Sequence, residues 1–121
     1  MPETGSNRSL KFLCNLDEIP TDQGLRVEIA GYPPLAVFNL QGTVHVIDDT
    51  CTHGEASLSE GEIRGNEIEC PFHLGAFDIR TGRPTVAPCS VPLRVYAVQV
   101  DGRRLMLVEA GVATACPTQP T

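Results

Sequence analysis

Two short clusters of metal-ligating residues, Cys51-Thr-His53 and Cys70-Pro-Phe-His73, stand sixteen residues apart. A chain that gathers these four side chains must bring two loops face to face, so both clusters belong where the backbone turns sharply. The neighbouring residues suit that. Gly54 follows His53, Pro71 follows Cys70, and Gly75 lies two residues after His73. On either side the sequence reads as short strands. "LRVEIAG" and "LAVFNLQG" bracket "GYPP", and "TVHVID" follows the turn "NLQGT". "EIRGNEIEC" gives two short strands around Gly65-Asn66, and "LRVYAVQVDGRRLMLVEA" gives two longer ones around Asp101-Gly102. In the last stretch Val95, Ala97 and Gln99 alternate with Tyr96, Val98 and Val100, so one face is more apolar. No window sustains a helical period, and "LDEI" after Asn15 supports one helical turn at most. Short strands with Gly and Pro turns predict an all-β sandwich or barrel.

A chain of 121 residues fits a single domain, 1–121. The first ten residues and the tail from about Gly111 are polar or small and rich in Pro and Thr. They read as poorly ordered ends around an ordered core of about 10–109, and both Cys/His pairs fall within about 49–90. Such a core is modest, and a bound metal centre would add to its stability. The formal charge of −6 opposes binding to nucleic acid and to anionic membranes. It suits a soluble protein that docks on basic partners. No stretch approaches the roughly 20 apolar residues of a membrane helix. "MPETGSNRSLKF" lacks the apolar core of a secretory signal, so the expected location is cytoplasmic. Five cysteines, an odd number, argue against a closed disulfide framework. In a reducing compartment, clustered Cys and His read first as metal ligands.

Two centres fit two Cys and two His. One is tetrahedral structural zinc, as in a protein-binding module. The other is a [2Fe–2S] cluster in which two histidines replace two cysteines on one iron. Zinc fingers usually present a Cys pair and then a His pair. Here each loop carries one of each, so each could give its Cys to one iron and its His to the other. That order favours the binuclear cluster. Zinc remains the alternative, separable by colour.

The segment "CTHGEASLSEG…IECPFHLGAFDIRTG" resembles the Rieske ferredoxins of bacterial aromatic-ring-hydroxylating dioxygenases, such as those acting on biphenyl, toluene and naphthalene. "IDDTCTHG", "RTGRP" and "PLRVYAVQVDG" extend the similarity over about residues 10 to 109. The resemblance implies a Rieske fold: a sandwich of three antiparallel β-sheets with two cluster loops at one tip. It implies one [2Fe–2S] cluster, with Cys51 and Cys70 on one iron and His53 and His73 on the other. It also implies a covering third loop, matched here by "TVAPCSVP" with Pro88. The implied role is a one-electron carrier from a flavin-containing, NAD(P)H-dependent ferredoxin reductase to a terminal oxygenase, and the carrier itself is expected to be monomeric. The small Rieske subunit of nitrite reductases is the alternative setting.

Two further points separate a carrier from an enzyme. Oxygen activation at a mononuclear iron needs two more histidines and a carboxylate, but only His45 remains. No Gly-x-Gly-x-x-Gly follows any strand, which argues against direct reduction by a nicotinamide. With two imidazole ligands the oxidised centre is formally neutral, which eases reduction relative to a four-cysteine site. High-potential relatives carry an extra Cys in each loop, joined as a disulfide, and a Ser and a Tyr that donate to the cluster sulfurs. The matching places here are Ala56 and Phe72 for the first pair, and Gly75 and Phe77 for the second. The disulfide is therefore expected to be absent and the potential low.

The other residues have plainer readings. His45 is expected on the wet face of a strand, and Cys14 in the core. Cys89 lies beside Pro88, and Cys116 falls in the tail. Phe72 and Phe77 are expected to pack under the loops. Asp48 and Asp49 are placed to cap the turn into the first loop. Glu55 and Glu60, with Leu74 and Pro88, would form an apolar patch ringed by acid around the exposed edges of His53 and His73.

Overall fold

The computed structural model describes residues 8–52, 56–71, 75–87 and 91–110. Among them, eleven strands form three antiparallel sheets. The first contains β1 (Arg8–Asn15), β11 (Arg104–Ala110) and β10 (Val98–Asp101), in the order β1-β11-β10. The second contains β2 (Leu25–Val27), β3 (Leu35–Leu40), β4 (Thr43–Asp48) and β9 (Val95–Tyr96), in that order. The third is a meander of β5 (Glu62–Arg64), β6 (Glu67–Glu69), β7 (Ala76–Asp78) and β8 (Pro84–Val86). This is the expected all-β architecture of three antiparallel sheets. No helix among the described residues is long and apolar enough to cross a membrane.

The run "LAVF" explains how the sheets stack. Alternate strand residues point to opposite faces, so a strand buried on both sides must be apolar throughout. Leu35, Ala36, Val37 and Phe38 are all fully buried. Ala36 and Phe38, with Ile47 of β4, join a core that contains Cys51, Leu58, Ile68, Cys70 and Phe77. Leu35 and Val37, with Val46, join a separate core that contains Leu13, Cys14, Leu105 and Leu107. The second sheet therefore separates the site's core from a core closed by the first sheet.

The turns follow their glycines. At Gln41-Gly42 both residues have positive φ, 55° and 93°, as a type I′ hairpin requires. At Gly65-Asn66 only the glycine does, which fits type II′. The last hairpin turns at Gly102-Arg103, one residue later than expected, because Asp101 pairs with Arg104. The stretch read as one strand from Val95 to Val100 is also divided. Val95 and Tyr96 pair with β4, whereas β10 pairs with β11, so Ala97 carries the chain between sheets. Tyr96 and Val98 pack on the second core, but Val100 is exposed.

Strands β1, β7 and β8 go beyond the sequence reading. β1 begins at Arg8, inside the stretch read as a poorly ordered end, because it pairs with β11 from Arg8 opposite Ala110. β7 and β8 have three residues each and are defined by their partners rather than by an alternating pattern. The turn after Asn15 is a 3-10 segment, Leu16–Glu18, closed by the Glu18 carboxylate accepting from the Asn15 N–H at 2.9 Å. A second 3-10 segment, Leu58–Glu60, follows the first cluster loop.

Candidate metal centre

Each cluster loop leaves and re-enters the fold through the same kind of closure. The Cys51 N–H donates to the Ala56 carbonyl at 3.0 Å, and the Cys70 N–H donates to the Gly75 carbonyl at 2.7 Å. In both, a cysteine is tied to the residue five positions on, and a histidine lies between in sequence. Below the first closure, Thr50 pairs with Ser57 and the Leu58 N–H donates to the Asp49 carbonyl at 2.7 Å. The second loop is the connection between β6 and β7, whose register places Glu69 opposite Ala76.

Cys51 and Cys70 are 2% and 0% exposed and share one apolar core with Ala56, Leu58, Ile68 and Phe77. Phe77 thus packs beneath the loops as expected. Ala56 is 1% exposed, and no disulfide joins Cys14, Cys51 and Cys70. Two buried cysteines that share one core at the necks of two loops fit an iron–sulfur centre, whose soft thiolate donors must be kept from water and oxidation. His53, Glu55, Phe72, His73, Leu74, Pro88, Cys89 and Cys116 lie outside the described residues.

A third segment is tied to both loop necks. The Thr52 hydroxyl donates to the Val91 carbonyl at 2.6 Å, linking the first loop to the chain after Pro88. Ala76, beside Gly75, pairs with Val86, just before that proline. The "RTG" turn supports the returning chain, with the Leu93 N–H donating to the Gly82 carbonyl at 2.8 Å. Gly82 has φ of 79°, and a Cβ there would collide with the Leu93 carbonyl, so both conformation and space call for glycine. Asp78 shapes this turn. Its carboxylate accepts from the Arg80 N–H at 2.8 Å and the Arg80 Nη2 at 3.1 Å, and the Arg80 side chain holds it below the usual carboxylate range.

The paired acids differ from the local caps expected of them. Asp48 accepts from the Tyr96 hydroxyl at 2.6 Å and from the Arg94 N–H and Nε, each at 3.2 Å. Burial, and then this carboxylate, push the Tyr96 hydroxyl strongly upward. Asp49 faces the other way and accepts from the Ser59 N–H. Asp48 reaches Arg94 and Tyr96, 46 and 48 positions on, because β4 pairs with β9 there, whereas Asp49 closes the first loop onto Ser57 and Ser59, eight and ten positions on. His45 is also less wet than expected. It is half-buried opposite Phe38, and burial, reinforced by Arg80 and opposed by Asp78, pushes its imidazole down. Cys14 is buried in the other core, and desolvation raises its thiol to about 11.

The chain belongs to the Rieske [2Fe–2S] domain family, whose model matches residues 9–97. It is an electron-transfer protein rather than a catalytic subunit, and its cofactor is one Rieske-type [2Fe–2S] cluster. Ferredoxin CarAc of Metapseudomonas resinovorans is 53% identical over 88 residues, covering 73% of this chain and 82% of that protein. A ferredoxin of Sphingomonas yanoikuyae B1 superposes with a TM-score of 0.81 at 37% identity, covering 84% of this chain and 99% of that one. The ferredoxin in a complex of reduced oxygenase and oxidized ferredoxin in carbazole 1,9a-dioxygenase gives 0.76 at 42% identity, covering 81% and 91%. A putative NADH-dependent nitrite reductase small subunit from Mycobacterium tuberculosis, 22% identical with a TM-score of 0.74 over 87% of this chain and 98% of that one, shares the fold alone.

Proposed function

We propose that this chain carries one electron from a flavin-containing, NAD(P)H-dependent reductase to the terminal oxygenase of a multicomponent aromatic-ring dioxygenase. In this reading Cys51 and Cys70 bind one iron of the cluster, and His53 and His73 bind the other. The observation that carries it is the matched pair of loop closures, Cys51 to Ala56 and Cys70 to Gly75, in one apolar core. The bound cluster supplies reversible one-electron chemistry. The protein keeps the thiolates dry and holds the loops in register. Exposed Val86 and Val91 stand beside the loops, and Glu60 is exposed at the end of the first. Such a surface suits brief docking on a partner that presents basic and apolar groups.

Anaerobic stopped-flow mixing tests the role. The oxidised protein should bleach on mixing with reductase and NAD(P)H, and regain colour on mixing with oxidised oxygenase. The apparent second-order rate should fall as ionic strength rises. An inert response to both partners would sink the carrier role, and a rate indifferent to salt would remove the electrostatic part.

The potential is expected near the bottom of the Rieske range of about −150 to +300 mV. Gly75 has no side chain to donate, and fully buried Phe77 presents only carbon. Fewer donors stabilise the reduced, more negative cluster less. A potentiometric midpoint above roughly +100 mV would contradict this account.

A further inference from the structure

Asp49 stands two residues before Cys51 and is 1% exposed. Its Oδ1 accepts from the Ser59 N–H at 2.8 Å, and its Oδ2 accepts from the Ser57 hydroxyl at 2.5 Å. The Ser57 and Ser59 hydroxyls lie 2.9 Å apart. The Asp49 N–H donates to the Pro34 carbonyl at 3.0 Å. One side chain thus joins the entering limb of the first loop, which leads to Cys51, to its leaving limb. The cation beside it is Arg26, whose Nη1 lies 3.6 Å from Oδ2. Arg26 is 46% exposed and is also held by Glu28 at 2.9 Å, so it offsets the buried charge only in part. Two extended residues span about 7 Å, and Ala56 and Leu58 pack with Cys51 and Cys70 nearby, so little water screens the interval.

We propose that Asp49 is a positioning residue for the first loop whose buried negative charge also lowers the reduction potential, with Arg26 acting in the opposite sense. The proposal rests on the cluster assignment above. Reduction adds an electron to a centre already facing a fixed carboxylate, and their repulsion favours the oxidised form. A low potential then has a second origin, apart from the lack of donors at Gly75 and Phe77.

The test is a set of one-electron midpoints on cluster-loaded protein, with iron content and visible circular dichroism to show that each variant holds its cluster. Asp49→Asn removes the charge and can keep the acceptor for Ser59. It should favour the reduced form by about tenfold, which is about 59 mV upward for one electron. Ser57→Ala removes one hydrogen bond and keeps the charge, so it should change the equilibrium by less than about twofold, well below that tenfold. Arg26→Gln should shift the midpoint downward by a smaller amount. A purely structural role does not predict opposite signs at Asp49 and Arg26. An unchanged midpoint in Asp49→Asn, or equal shifts in Asp49→Asn and Ser57→Ala, would overturn the electrostatic role. If Asp49→Asn does not assemble, Arg26→Gln decides, and a zero or upward shift there overturns the proposal. Absence of any iron–sulfur couple in the unaltered protein would instead overturn the cluster assignment.

Discussion

Replacing either buried loop cysteine, Cys51→Ser or Cys70→Ser, should abolish the red-brown chromophore, while Cys14→Ala should leave it intact. Cys51 and Cys70 occupy the necks of the two loops and share one core. Cys14 lies across the second sheet in the other core, where burial keeps its thiol protonated to about pH 11. Thiolate is the form that binds iron, so a serine hydroxyl at either loop position withdraws the softer donor and with it most of the binding free energy. Iron and acid-labile sulfide, measured on protein purified without air, should fall to near background in both loop variants. Both should also melt earlier than the unaltered protein, because metal binding contributes to folding. A Cys51→Ser variant that kept its full iron and visible spectrum would remove Cys51 from the ligand set. A colourless unaltered protein holding one zinc would replace the whole assignment.

Gly61→Ala should destabilise the fold by about 3 kcal/mol, the upper end for forcing an extra carbon into a packed site. Its backbone is ordinary, with φ of −80°, so conformational freedom is not why glycine is required. The reason is space. A Cβ at Gly61 would overlap the Glu69 carbonyl, with the Leu58 carbonyl also close. Both obstacles are backbone, which cannot swing aside as a long side chain can. Glu69 immediately precedes Cys70, so the displacement passes directly into the second loop. The melting temperature should fall by roughly 10 °C or more, given about 4 °C per kcal/mol for a domain of this size, and cluster loss in air should quicken. Gly31→Ala is the comparison. Gly31 has φ of 86° but nothing near its Cβ position, so only the backbone preference is lost, about 1 kcal/mol. Equal losses at the two glycines would refute the close-approach argument.

The residues that could be read in advance are those whose chemistry is local. Cys51, His53, Cys70 and His73 point to the metal centre proposed above because few other roles need those groups at that spacing. Gly65-Asn66 marks a hairpin because a positive φ favours glycine there. Asp49 was legible as an acid near a turn, but its bonds to Ser57 and Ser59 and its nearness to Arg26 were not. Nothing in "DDTC" says which of two adjacent acids faces inward. Likewise the alternation from Val95 to Val100 looks like one strand, since side-chain period alone is blind to a change of partner at Ala97. Gly61 gave no signal at all, because its constraint is a carbonyl eight residues away.

From its sequence alone, then, this chain reads as an all-β protein whose two mixed Cys/His pairs point to a metal centre. These properties reside in side-chain identity, turn preference and spacing, which do not depend on distant contacts. Tertiary structure decided the rest. It put a doubly buried sheet between two cores, sent Asp48 to Arg94 and Tyr96 and Asp49 to Ser57 and Ser59, and tied Thr52 to Val91. Each of these depends on which segments meet. That choice is made by the burial of whole faces, a non-directional force that no short stretch of sequence records.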